Sequence, residues 1–172
     1  MRFPNLVVWV LVLACACQST GPRATGPVDE AIRKQLFERI SGLAGKWQTT
    51  SPQGEKAVFE FQTTSGGSVV REVMFPGTAH EMTNMYHLDG NTLVMTHYCA
   101  GGTQPRMRAQ RGGANELVFR CDSVTDLKAP DEVYMGSMTL VVDGPDRVRE
   151  IWKAYKGQDV DHEMTFQLTR TR

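Results

Sequence analysis

No stretch of this 172-residue chain reaches the roughly 20 apolar residues that a membrane-spanning helix needs. An excess of one charge is also lacking. Nineteen basic side chains stand against 19 acidic ones, which argues against a nucleic-acid binder, where a basic surplus is the usual footprint. Aromatic residues are scarce at 8%, whereas glycine occurs 16 times and methionine nine, a balance that favours turns and soft apolar surfaces over long helices. No base, nucleophile and oxyanion donor can be assembled from named residues, so the sequence does not indicate an enzyme. What remains has the length of one ordinary globular domain.

The N-terminus reads as a targeting segment. Arg2 precedes an unbroken apolar run over 6–14, too short to span a membrane, which is the layout of a secretory signal peptide. Val12-Leu13-Ala14-Cys15, with Ala16-Cys17 behind it, resembles a bacterial lipobox. The resemblance implies that the thiol of Cys15, or alternatively Cys17, is diacylated and becomes the mature N-terminus. Cys15 fits better, because Val12 stands three places before it and only Ala14 stands there for Cys17. An ordinary cleaved signal peptide is the other reading. Two acyl chains suffice for stable membrane anchoring. Because Ala rather than Asp follows Cys15, the expected location is the periplasmic face of the bacterial cell envelope, at the outer membrane. The segment 18–27 is small, polar or ring-locked and reads as a tether. The expected organisation is a signal peptide over 1–14, a lipidated tether over 15–27 and a folded domain over 28–172.

That domain opens with a helix. Ile32, Leu36, Ile40 and Leu43 fall at helical spacing, with Phe37 widening the stripe, Asp29 placed to cap the start and Gly42 or Gly45 to stop it. Thereafter turn clusters separate about ten β-rich runs, near 46–50, 57–63, 68–75, 79–88, 91–99, 104–110, 116–121, 133–142, 147–155 and 162–169. A longer loop is expected over 122–131. Consecutive hairpins favour an antiparallel meander, and a meander that closes removes both exposed edges. The predicted fold class is therefore all-β, an antiparallel up-and-down barrel of about ten strands with a short N-terminal helix.

Gly45-Lys46-Trp47 enters the first strand after the helix, and the last strand carries Arg170. This is similar to the Gly-x-Trp opening of the calycin superfamily: lipocalins, fatty-acid-binding proteins and haem-binding nitrobindins. The resemblance implies that Arg170 packs over Trp47 at the closed end of a calycin-like barrel. The stretch from Glu81-Met82 to Met107, with Tyr86-His87-Leu88-Asp89-Gly90 and Thr96-His97-Tyr98-Cys99, looks like a family of uncharacterised bacterial lipocalin-like proteins. It carries no known reaction.

Asp89-Gly90 is a two-residue hairpin signal. Taken as the turn, it pairs Tyr86 with Leu93, Asn84 with Met95, Met82 with His97 and His80 with Cys99, and alternation puts all eight on one face. That face mixes apolar bulk with a few polar groups, as ligand-cavity walls do. The expected function is thus a binding barrel for a small hydrophobic or amphipathic molecule. Met82, Tyr86, Leu93 and Met95 would form the apolar wall, with Asn84, His97, His80 and Arg106 at a polar head. Arg106 and Arg108 share a face and suit bidentate contact with a carboxylate. His80, His97 and Cys99 near one rim offer an alternative metal site. His162, near the start of the last strand, is similar to the residue by which nitrobindin-type barrels hold haem iron, which makes haem the main cofactor candidate. A filled barrel acting only as a structural or interaction module is a further alternative. Cys99 and Cys121 end parallel-running strands with one strand between them. An oxidising envelope favours a disulfide, while a spacing near 9–10 Å opposes it, since Cα atoms beyond about 7 Å cannot be bridged without movement.

Overall fold

The computed structural model describes residues 25–51 and 54–171. The signal segment and the two lipobox cysteines, Cys15 and Cys17, lie outside the described residues. Helix α1 spans Glu30–Ser41, and the ten strands are β1 Gly45–Thr50, β2 Lys56–Thr64, β3 Val69–Met74, β4 Met82–Asp89, β5 Thr92–Tyr98, β6 Gln104–Arg111, β7 Glu116–Thr125, β8 Val133–Gly144, β9 Arg147–Lys156 and β10 Asp159–Arg170. Every strand pairs antiparallel with its sequence neighbours, and β1 pairs with β10 to close the barrel. Closure leaves no strand edge to pair with another chain. The expected all-β barrel with a short helix is the observed fold.

The helix caps one end. Asp29 accepts hydrogen bonds from the amides of Ala31 and Ile32, as an N-cap should, and Gly42 is the C-cap. Ile40 and the following Leu43 are buried in the core with Trp47. Trp47, fully buried, donates its indole N–H to the carbonyl of Leu43 at 2.8 Å. Arg170 lies opposite Trp47 in the β1–β10 ladder, with its guanidinium carbon 4.2 Å from the ring centroid. The same guanidinium donates to the carbonyls of Ala44 at 2.7 Å and Gly42 at 3.1 Å. One cation thus ties the first strand, the last strand and the end of the helix together. From here inward the barrel is filled by side chains such as Phe61, Leu93, Met95, Phe119, Leu140 and Leu168.

Three details differ from the sequence expectation. The β4–β5 register places Asp89 opposite Thr92 and Tyr86 opposite Met95. The two turn residues are therefore Gly90 and Asn91, not Asp89 and Gly90. Gly90 has φ +59° and Asn91 is not among the positive-φ residues, the requirement of a type II′ turn with Gly first. The whole hairpin slips by two residues, so the side chains within β4 and β5 keep their predicted faces while gaining different partners. Next, β4 starts at Met82 because residues 75–81 form turns, held by the Thr78 amide on the Phe75 carbonyl and the Glu81 amide on the Thr78 carbonyl. This puts His80 in an exposed turn. Finally, β7 continues to Thr125, opposite Gln104 of β6, and shortens the expected loop.

Candidate functional site

Alternation along each strand decides what the barrel encloses. Inward positions of β3 carry Val70, Glu72 and Met74; those of β4, Met82, Asn84 and Tyr86; those of β5, Leu93, Met95 and His97; those of β9, Val148, Glu150 and Trp152. Near the middle of the barrel this alternation gathers polar groups. Glu72, Asn84 and Glu150 are fully buried, and His97 is 1% exposed.

These groups form one directed network. Tyr86 donates its hydroxyl to Glu72 Oε2 at 2.6 Å, and Asn84 Nδ2 donates to the same oxygen at 2.7 Å. Asn84 Oδ1 lies 2.7 Å from His97 Nδ1. Trp152 Nε1 donates to Glu150 Oε2 at 2.9 Å; the carboxyls of Glu150 and Glu72 are neighbours, and Oε1 of each is buried without another partner. Burial pushes both carboxyls up, and the charge of Glu72 pushes Glu150 further, well above the usual carboxylate range. Of the two neighbouring carboxyls, Glu150 is therefore the one that keeps its proton, because two like charges side by side cannot both ionise. Burial also raises the Tyr86 hydroxyl well above its ordinary value, so it remains a donor. His97 moves the other way: burial lowers it to about 4, which keeps the ring neutral near pH 7. The neutral ring has one N–H, and Asn84 Oδ1 requires that it sit on Nδ1. Nε2 is left as a bare acceptor, with no protein partner within hydrogen-bond reach.

Above this layer, towards the end away from the helix, lies a cavity of about 900 Å³. Met74, His97 and Trp152 line it and are themselves almost fully buried, so they form its floor. The imidazole of His97 lies against the Trp152 ring, with centroids 4.9 Å apart. Met82, Met135, Met164, Phe75 and Phe166 supply most of the apolar wall. Phe75 and Phe166 meet buried Phe59 in a three-ring cluster, with centroids 5.1 to 5.6 Å apart. Phe75 holds φ +55°, a conformation that a non-glycine residue adopts at a cost of order 1–3 kcal/mol and that concentrates at ligand clamps. Polar residues, among them Thr49, Thr50, Glu55 and Lys56, stand around the mouth.

No family model matches the chain, and no curated protein does. Among solved structures the chain is similar to Rv2717c from M. tuberculosis, with a TM-score of 0.52 over 85% of this chain and 100% of that one. Sequence identity is 16%, so the likeness concerns the fold alone.

The residues singled out from sequence separate into distinct groups. Met82 and His97 line the cavity, and His80 and Cys99 stand at its mouth. Asn84 and Tyr86 lie one layer deeper, in the hydrogen-bond network, while Leu93 and Met95 belong to the packed core of the closed half. Arg106 is not a cavity residue. It stands opposite Thr96 on the outer face and pairs with Asp89 and Asp122. Arg108 binds the same two carboxylates, so the carboxylates expected for this arginine pair come from the chain itself. His162, the candidate for haem, is exposed, its Nδ1 is 2.7 Å from Asp161 Oδ2, and it is not among the residues that line the cavity. His80, His97 and Cys99 do not converge, and no group of three or more metal-ligating side chains occurs among the described residues. Cys99 and Cys121 are both free thiols, because β6 separates their strands. Cys99 Sγ accepts from the Gly101 amide, and Cys121 donates to the Ser123 carbonyl.

Glu72 and Glu150 are the inward residues that sequence reasoning missed. The signal was present. In Val70-x-Glu72-x-Met74 and in Val148-x-Glu150-x-Trp152-x-Ala154 a carboxylate occupies the parity of an otherwise apolar face. Only the closed barrel brings the two faces together.

Proposed function

We propose that this chain is a calycin-like, lipocalin-type barrel that binds a small hydrophobic or amphipathic molecule in the cavity at its open end. We propose further that Cys15 anchors it by lipid in the bacterial envelope. The observation that carries the binding reading is the cavity itself: about 900 Å³, walled mainly by methionine and aromatic side chains, over a floor with an unpartnered imidazole nitrogen. Ligand pockets commonly measure about 300–1,000 Å³, with apolar walls and few polar groups. Flexible thioethers adapt to chains of varied shape. The half of the barrel nearest the helix is packed solid, so the cavity is a cup and not a channel. The filled-barrel alternative accounts for that half and leaves the open end without a purpose.

Binding of an uncharged fluorescent naphthylamine probe tests the reading. Replacing Met164 or Met82 by aspartate puts a charge on the cavity wall and should weaken the probe at least about tenfold, since an unpaired charge buried among apolar groups costs several kcal/mol. The outer-face change Arg106→Gln should leave binding within about twofold, as it alters only a screened surface pair. If the wild-type protein takes up no apolar probe, the binding reading fails and a structural module remains. A Soret band on adding haem, lost in His97→Ala, would replace the amphiphile by haem.

A further inference from the structure

The network beneath the cavity floor fixes the hydrogen-bonding character of the floor. Glu72 Oε2 receives two donors, the Tyr86 hydroxyl and Asn84 Nδ2. Glu72 Oε2 is therefore an acceptor towards Asn84, and the Asn84 amide has to present its oxygen to His97. His97 Nδ1 must then carry the ring proton. Its Nε2 has no protein donor and is itself sealed from solvent, while the ring that carries it forms part of the cavity floor.

We propose that the floor side chains give way to a ligand head and that His97 Nε2 then accepts a hydrogen bond from its hydroxyl or N–H, so that the site selects uncharged amphiphiles with a donor head, such as long-chain alcohols, over carboxylates of equal chain length. This rests on the binding reading above and adds a head-group chemistry to it. An alkyl chain packs against Met74, Met82, Met164 and Phe166, and the head reaches the floor beside Trp152. A donor head pairs a nitrogen that is otherwise buried without a partner. An ether or alkane leaves it unpaired, which for a buried polar group is a penalty comparable to a lost hydrogen bond. A carboxylate head is worse: it meets a lone pair, with the Glu72 charge one layer behind, and it must shed its own hydration. An anionic ligand has an alternative pose, tail inward, with its head at Lys56 in the mouth. That pose makes no use of His97.

Competition against N-phenyl-1-naphthylamine on the full chain at about pH 8 tests this, using 1-dodecanol, its methyl ether and dodecanoate. Dodecanol should displace the probe at a concentration at least about fivefold lower than the ether and tenfold lower than dodecanoate, the scale of one hydrogen bond to a buried group. In His97→Phe, which keeps a ring of similar size, the alcohol and the ether should come within about twofold of each other while the probe still binds. A second measurement does not depend on that variant folding. In protein carrying nitrogen-15 histidine, the Nε2 resonance should stand at the unprotonated position and move towards the protonated one with dodecanol but not with the ether. If the probe binds but alcohol and ether compete equally, or Nε2 does not respond, the head-group inference is overturned and the binding reading stands. If neither probe nor competitor binds, the binding reading itself fails.

Discussion

At the scale of single residues, the barrel interior is governed by where protons sit. His97 is held neutral by burial, with its pKa lowered from 6.5 to about 4. The unfolded chain therefore takes up a proton first as the pH falls. The stability of the neutral ring is complete above about pH 6.5 and is lost progressively down to about pH 4, where the loss levels off near 3 kcal/mol. Denaturant unfolding from pH 8 to 4, compared with His97→Gln, checks this. The variant should show a shallower fall between pH 6.5 and 4, and an identical slope would mean that His97 is not buried neutral. Glu150 works in the opposite sense, because burial and the Glu72 charge raise it. There the unfolded chain gives up its proton first, so the contribution is complete below about pH 4.5 and declines as the pH rises. Glu150→Gln keeps an acceptor for Trp152 Nε1 and removes the acidic proton beside Glu72. Its stability relative to wild type should therefore improve steadily from pH 5 to 9 in the same unfolding assay. Glu150→Leu should instead lose about 1–3 kcal/mol for each group left unpaired.

The elements are coupled at the closed end more than anywhere else. Helix α1 is short, and Ile32 on its surface is 37% exposed, so it owes its place to Ile40, Leu43 and the bonds received from Arg170 and Trp47. Trp47→Ala should cost about 3–5 kcal/mol, measured by chemical denaturation, because it empties a large aromatic site and also removes the bond to Leu43. A loss below about 1 kcal/mol would show that the helix and Arg170 close the barrel without it. The β4–β5 hairpin shows another form of coupling. Asn91 accepts from the Asp29 amide at 2.7 Å, so the residue that completes the turn also steadies the approach to the helix. Asp89, freed from the turn, belongs to the ladder and binds Arg106 and Arg108. In β8 a bulge between Met135 and Ser137 leaves Gly136, where a Cβ would come within 2.4 Å of the Tyr155 ring, so close packing there depends on glycine.

For the whole molecule, half of the barrel is core and half is cup. The packed half supplies stability, and the apolar wall of the open half is available to a guest. If the proposed anchor is real, the cup is held at a membrane surface, where amphipathic molecules are concentrated. Mass spectrometry of the mature N-terminus decides this. A diacylated Cys15 is expected, Cys17 would move the site by two residues, and an unmodified terminus at another residue would remove the anchor.

The Trp47–Arg170 joint was legible only through a family resemblance, whereas the sequence by itself determined the number of strands, the helix and its Asp29 cap, and the face on which each β4 and β5 residue stands. These follow from local chemistry: apolar period, cap and turn residues, and strict alternation. It did not determine the register, because Asp89-Gly90 and Gly90-Asn91 are both competent turns and differ only in what lies across the ladder. Nor did it reveal the cup or its floor. Glu72, Asn84 and His97 come from the consecutive strands β3, β4 and β5, but Glu150 comes from β9, far along the chain. Whether a carboxylate at such a position turns to solvent or becomes part of a buried polar network depends on the neighbours that closure brings. Arg106 makes the same point in reverse. Its type and spacing suit a ligand carboxylate, and only the β5–β6–β7 register shows that Asp89 and Asp122 already hold it outside.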